Sequence, residues 1–302
     1  MGIDLGGTNL RAGLVDEKGS VLASQTVATR TQEGPDVLQK QIVEVAQALL
    51  TEAKRPISAI GLGVAGQVDS SRGVIVSAPN LPWKEVSIKE SLEKALGISV
   101  FVTNDVRAAA WAEHTNGCAK GLDSAVCIFV GTGIGGAIIC NGSILNGATN
   151  TAGEIGHMVI CINGRACTCG RRGCLEAYAG GWAIAKEARE RLSPNKEITI
   201  RAVLQAYIEH NPIAMAIMQE AKEALAIGIA NIVNLLNPQA VILGGGIIEA
   251  NPELVPWLHE QVSMNTITRQ QLRVMQATLG KDAGVVGAAV FAARSSTRPT
   301  LF

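Results

Sequence analysis

Aromatic side chains are scarce in this chain: Phe, Trp and Tyr together make up 3% of its 302 residues. Broad stacking surfaces are therefore not expected, and the 33 glycines point instead to tight turns and close backbone approaches. Net charge is missing as well, because 26 basic side chains balance 26 acidic ones. That leaves no electrostatic handle for nucleic acid. Long apolar runs are absent too: the longest, such as 225–236, are broken by Gly228, Asn231 and Asn234, short of the ~20 apolar residues that span a bilayer. The opening residues show neither a basic segment nor the apolar core of a signal peptide. The expectation is a cytoplasmic chain whose cysteines stay reduced. No linker, low-complexity tract or charged tail is present, and the length suggests two domains.

Against these absences the run GHMVICINGRACTCGRRGC, residues 156–174, stands out. His157, Cys167, Cys169 and Cys174 supply one imidazole and three thiolates, the donor set of a closed tetrahedral zinc site with no position left for water. Buried free cysteines are one competing reading, but a C-x-C-G-x-x-G-C segment with three arginines close by makes a poor core. A disulfide is the other, and neighbouring C-x-C thiols bridge each other badly. Cysteine spacing of this density in a reduced protein reads as metal. Glu154 precedes His157 by three residues and Glu176 follows Cys174 by two. Isolated glutamates would be ordinary solvated charges. Flanking a structural metal, they are expected to be held as part of a polar pocket. Cys118, Cys127, Cys140 and Cys161 stay outside the site as core or surface thiols.

The hydrophobic pattern predicts a three-stranded meander over residues 1–30, from GIDL, LRAGLVD and VLASQTVAT around the turns GGTN and EKGS. A helix follows over Pro35–Ala53, where Leu38, Ile42, Val45 and Leu49 share one face. Strands at 60–64, 74–78 and 100–103 surround a helix near 85–96, giving one α/β domain. The second half repeats the theme. SAVCIFV leads into GTGIGG, AIIC, the turn NGS and ILN, which reads as an internal repeat. Helices are expected over 175–191, 199–209 and 212–236, a strand over 240–246, another over 272–278, and a helix over 284–294.

Two glycine turns in register, with the hydroxyls of Thr8 and Thr132, suit phosphate oxygens, because glycine lets backbone N–H groups converge closely on an anion. Neither turn is a Walker loop, since no Gly-Lys-Ser/Thr follows, and neither opens a helix as a dinucleotide fingerprint would. Gly244, Gly245 and Gly246 form a third cluster after an apolar strand. It suits the adenine side of a nucleotide or is simply a connector between strand and helix.

DLGGTN at 4–9, GLGVAGQVD at 61–69, ND at 104–105, GTGIGG at 131–136, AGEIGH at 152–157, CTCGRRGCLE at 167–176 and LNPQAVILGGG at 236–246 together resemble the ROK family, in its glucokinase-like form. The resemblance covers the whole chain. It implies an α/β, two-domain, actin/hexokinase-like (ribonuclease H-like) fold with an interdomain cleft and a structural zinc knuckle. The domains expected are 1–106 with 284–302, and 107–283.

The resemblance also implies roles. Asp105 would be the general base toward a sugar hydroxyl, although Asn104-Asp105 reads equally as the cap of a helix through VRAAAWAEH, and both can hold. Asp4 would hold the magnesium of MgATP through water, with Gly6, Gly7, Thr8, Asn9, Gly131, Thr132 and Gly133 around the phosphates; a turn residue is the plainer reading of Asp4. Gly66, Asn80, Asn104, Asp105, Glu154, His157 and Glu176 would contact sugar hydroxyls. The implied activity is ATP-dependent phosphorylation of a hexose at its 6-hydroxyl, glucose first, by a homodimer or dimer of dimers that binds neither nucleic acid nor membrane. N-acetylmannosamine, N-acetylglucosamine or fructose are the alternative substrates. A truncated sugar-responsive repressor of the same family is the alternative class, one that needs a helix-turn-helix ahead of the first strand.

Overall fold

The computed structural model describes residues 1–192, 198–267 and 272–297. The chain forms two compact units: unit 1 holds Met1–Gly121, Asn146–Ala152 and the segment from Thr278, and unit 2 holds Leu122–Leu145 and Gly153–Ala277.

In unit 1 the strands β1 (Gly2–Leu5), β2 (Asn9–Val15) and β3 (Val21–Ala28) form the antiparallel meander that the alternation predicts. Helix α1 (Pro35–Glu52) starts where Pro35 presets the first turn, and it buries Leu38, Ile42, Val45 and Leu49. Next comes β4 (Ala59–Val64), parallel to β1. A small antiparallel sheet of β5 (Gln67–Asp69), β6 (Val74–Ala78) and β7 (Trp83–Val86) follows. Because Trp83–Val86 pair with β6, the helix expected near 85–96 begins later, as α2 (Ile88–Leu96). Strand β8 (Ser99–Asn104) completes the main sheet in the order β3-β2-β1-β4-β8 and feeds α3 (Asp105–Asn116).

Unit 2 repeats this order. Strands β9 (Ala125–Val130), β10 (Ile134–Cys140) and β11 (Ser143–Ile144) are antiparallel. Helices α4 (Glu176–Ala179), α5 (Gly181–Leu192), α6 (Ile200–Ile208) and α7 (Pro212–Leu236) come before β12 (Ala240–Gly244), α8 (Gly246–Glu249), α9 (Leu254–Met264) and β13 (Arg273–Gln276). The sheet order is β11-β10-β9-β12-β13, with β12 parallel to both β9 and β13, the same pattern position for position as in unit 1. Helix α7 is capped by the Asn211 side chain, which accepts from the N–H groups of Ile213 and Ala214. It buries Ile217, Leu225 and Ile229 with Ile128 and Leu243 of the sheet. The helix expected over 175–191 is broken at Gly180, which is extended, and the strand expected over 240–246 stops at Gly244. Helix α9 and the short strands β5 and β7 were not anticipated. Among the described residues no helix is long and apolar enough to cross a membrane.

The chain returns to unit 1 as α10 (Ala283–Thr297). Alternation along β1 and β4 sends Ile3, Leu5, Ile60, Leu62 and Val64 into the core shared with α1. Gly2, Gly61 and Gly63 are left on the opposite face, where α10 and α3 pack. A Cβ on Gly61 would collide with the Ala288 carbonyl of α10, and one on Gly287 would collide with the Ala108 carbonyl of α3. Backbone meets backbone at both places. Gly287→Ala is accordingly expected to cost about 3 kcal/mol of stability, the upper range for overpacking, because neither neighbour is a side chain that can swing aside. Urea denaturation measures it, and an unchanged midpoint would show that α10 can slide.

Candidate active site

The carboxyl ends of the unit 1 strands gather a connected polar set. Asp4 sits near the end of β1 on the glycine face, so close to α10 that a Cβ on Gly284 would strike its carboxylate. The first turn of a helix favours negative charge there. Arg11 lies opposite Asp4 in the β1–β2 register and pairs with Asp282 and the Lys281 carbonyl. Burial pushes the Asp4 carboxyl up to about 6, against the pull of Arg11. The turn after β1 is closed by the Gly6 N–H donating to the Asn9 carbonyl at 3.0 Å, and Thr29 Oγ1 donates to the Gly6 carbonyl at 2.8 Å. Thr8 and Asn9 are exposed, as is Asn80, whose backbone and Cβ leave room only for glycine at Gly7.

Asn104 is the hub of this set. Its Oδ1 accepts the Arg107 N–H at 3.1 Å and so caps α3, while its Nδ2 donates to the Gly66 carbonyl at 3.1 Å and to Asp105 Oδ1 at 2.9 Å. Asp105 is therefore both the first residue of a capped helix and a carboxylate held by a neighbour. Its pKa is raised to about 7, first by burial and then by the charge of Asp4, against hydrogen bonds from the backbone and Asn104. Arg107, which the sequence did not single out, is 5% exposed and donates to the carbonyls of Asn146 and Ala152, pinning the segment 146–152 to unit 1. Its only signal was an arginine on the helix that carries the candidate base.

In unit 2 the turn between β9 and β10 is Gly131, Thr132 and Gly133, closed by the Gly131 N–H on the Gly133 carbonyl at 2.9 Å. Gly135 and Gly136 of the same motif belong to β10. Gly244 ends β12 beside Phe129, and a Cβ on Gly245 would lie 2.5 Å from the Val130 carbonyl. The third glycine cluster thus adjoins the residue that opens the turn. Ile155–His157 make one 3-10 turn lying on β10, and Gly156 leaves space there for the Ile134 carbonyl. Glu154 is exposed, whereas Glu176 is buried.

The ligand atoms of His157, Cys167, Cys169 and Cys174 all lie within 4.8 Å of one another. His157 Nδ1 is 3.7 Å from Cys167 Sγ, and Cys169 Sγ is 3.7 Å from Cys174 Sγ. A tetrahedral zinc with Zn–S bonds of about 2.3 Å requires edges of about 3.8 Å, so the residues present fit the ion. His157 turns Nδ1 to the thiols. Burial raises the Cys169 thiol, but hydrogen bonds from Arg171, Cys167 and Cys174 outweigh it and bring the group down to about 6. Arg165 anchors the knuckle loop through ion pairs to Glu187 at 3.3 Å and to Glu220, and it stacks on Tyr178 at 4.8 Å.

Two units with the same five-stranded order, each bearing a glycine hairpin after its first strand, define the actin- and hexokinase-like class of α/β folds. Within that class the chain belongs to the ROK family, whose profile matches residues 1–295. It is similar to a glucokinase of Halalkalibacterium halodurans, 31% identical over 95% of this chain and 92% of that one. It also resembles the solved structure of a ROK family glucokinase from Streptomyces griseus in complex with glucose and AMPPNP, with a TM-score of 0.84, 31% identity and coverage of 97% and 98%. The xylose repressor of Bacillus subtilis is 28% identical over 95% of this chain and 75% of that protein.

Cys169→Ser is expected to drop zinc below one per chain in a metal analysis of purified protein, and unchanged zinc would remove Cys169 from the ligand set. Asp105→Asn is expected to raise Tm at pH 8 by about 2–4 °C. The folded-state pKa is raised, so this carboxyl's contribution to stability is complete below the unfolded value and is lost as pH rises through about 7. The gain should shrink toward pH 5, and an equal gain at both pH values would contradict the burial argument.

Proposed function

We propose that the chain is a sugar kinase that transfers the γ-phosphoryl group of MgATP to the 6-hydroxyl of a hexose, with glucose as first substrate. The observation that carries this reading is Asp105, a carboxylate on a capped helix with its pKa brought to about 7. An alcohol is a weak nucleophile, and phosphoryl transfer needs chiefly positioning and charge neutralisation. A carboxylate with a pKa near the working pH can take the hydroxyl proton as the new bond to phosphorus forms. Asn104 orients that carboxylate and Gly66 orients Asn104.

Asp4, with Arg11 opposite, is assigned to the magnesium through water. Magnesium, when bound, neutralises charge on the transferring phosphoryl group. The N–H groups of Gly7, Thr8 and Asn9 and of Thr132 and Gly133, in the turns that the Gly6 and Gly131 N–H groups close, are assigned to phosphate oxygens, and Gly244, Gly245 and Gly246 to the adenine side. Gly66, Asn80, Asn104, Glu154, Glu176 and Nε2 of His157 are assigned to sugar hydroxyls. Kinship to the glucokinases supports glucose over N-acetylmannosamine, N-acetylglucosamine and fructose. Asp105 and the two glycine turns, which a protein that only senses sugar does not need, support the enzyme over a sugar-responsive repressor. The reading also carries a cytoplasmic homodimer or dimer of dimers.

A coupled assay of wild type and Asp105→Asn with MgATP and a panel of hexoses and hexosamines tests it. Glucose should give the highest kcat/KM, and the variant should lose about 10²–10⁴-fold. Wild-type kcat/KM should rise as pH passes through about 7, where Asp105 gives up its proton. Equal turnover by the two proteins would end the assignment.

A further inference from the structure

One buried carboxylate joins the Cys3His knuckle to the Gly131–Gly133 turn. Glu176 opens α4 two residues after Cys174 and is 9% exposed. Its Oε2 accepts the Ile134 N–H at 2.8 Å, and its Oε1 accepts the Trp182 indole N–H at 3.0 Å. Ile134 is the residue with which the turn re-enters β10. The contact is so close that a Cβ on Gly133 would strike Oε2.

The turn is gripped from its other side as well. The first N–H groups of a helix have no partner within it, and the break at Gly180 lets α5 spend two of them on the turn. Gly181 N–H donates to the Gly131 carbonyl and Trp182 N–H to the Thr132 carbonyl, each at 2.9 Å. Cys167 and Cys174 pack against Ala177, Tyr178 and Trp182 beneath. Knuckle, α4, the start of α5 and the turn are thus one packed block of unit 2.

We propose that Glu176 is a positioning residue for the nucleotide, through which the metal knuckle sets the conformation of the Gly131–Gly133 turn. The knuckle then serves the phosphate side of the reaction and not only the sugar hydroxyls that flank it. The inference rests on the assignment of that turn to phosphate. A turn that binds an anion through N–H groups must hold its peptide planes fixed beforehand, since every bond it reorders on binding is subtracted from affinity. Glutamate suits this because its two oxygens accept two donors at once, whereas glutamine must turn an NH2 toward one of them.

The test is AMPPNP binding by calorimetry without sugar, on wild type, Glu176→Gln and Trp182→Phe, with zinc content measured on each. Glu176→Gln should weaken AMPPNP binding about tenfold, the loss of one charge-assisted hydrogen bond, with zinc unchanged at the wild-type level. Trp182→Phe, which leaves the Ile134 bond in place, should weaken it in the same direction but less, and decides the matter if Glu176→Gln does not fold. Wild-type AMPPNP affinity in both variants would overturn the proposal, whatever happens to the KM for sugar. A wild-type protein that binds no AMPPNP and phosphorylates no sugar would instead overturn the kinase reading, and this inference with it.

Discussion

The direct contact of α10 and α3 with the glycine face of the unit 1 sheet is the constraint from which the candidate site arises. Side chains on that face would hold the helices several ångströms away. With Gly61 and Gly287 at the crossings, the backbones meet, and Asp4 and Asp105 are drawn out of water between strand ends and helix starts. Desolvation then raises both carboxyls, to about 6 and about 7, and the charge of Asp4 adds to the rise at Asp105. A base suited to neutral pH therefore comes at the expense of folding stability, a common relation at working sites.

The duplicated sheet order places equivalent chemistry at equivalent strand ends. The first strand of each sheet, β1 or β9, ends in a glycine hairpin, and the parallel neighbour, β4 or β12, runs out toward Gly66 or into Gly244–Gly246. In open α/β sheets such carboxyl ends are where ligands are held. The two copies differ in the source of their polar groups. In unit 1, β8 runs into a capped helix that carries Asp105, whereas unit 2 draws on the 3-10 turn at Ile155–His157 and on the knuckle.

The knuckle shows how far local spacing reaches. Three cysteines within eight residues and one histidine ten residues earlier were legible as a ligand set, because metal coordination is a matter of donor type and chain reach. The attachment of that set to the rest of unit 2 was not legible. The resemblance points Glu176 toward a sugar hydroxyl, but says nothing of the bonds its carboxylate accepts from Ile134, 42 residues away, and from Trp182. Arg107 and Arg165 were likewise silent in the sequence, since nothing local says which carbonyl or carboxylate a long side chain will meet.

Sequence alone determined the elements whose signal is periodic or punctuated: the meander of β1–β3, α1 and α7, the two glycine hairpins and the Cys3His set. Each depends on residues close together in the chain. Tertiary structure decided the break at Gly180, the late start of α2, the pairing of β7, the grip of α5 on the turn and the raised pKa values of Asp4 and Asp105. Those depend on which surfaces and donors arrive from distant segments, and on the water they exclude, neither of which any stretch of sequence contains by itself.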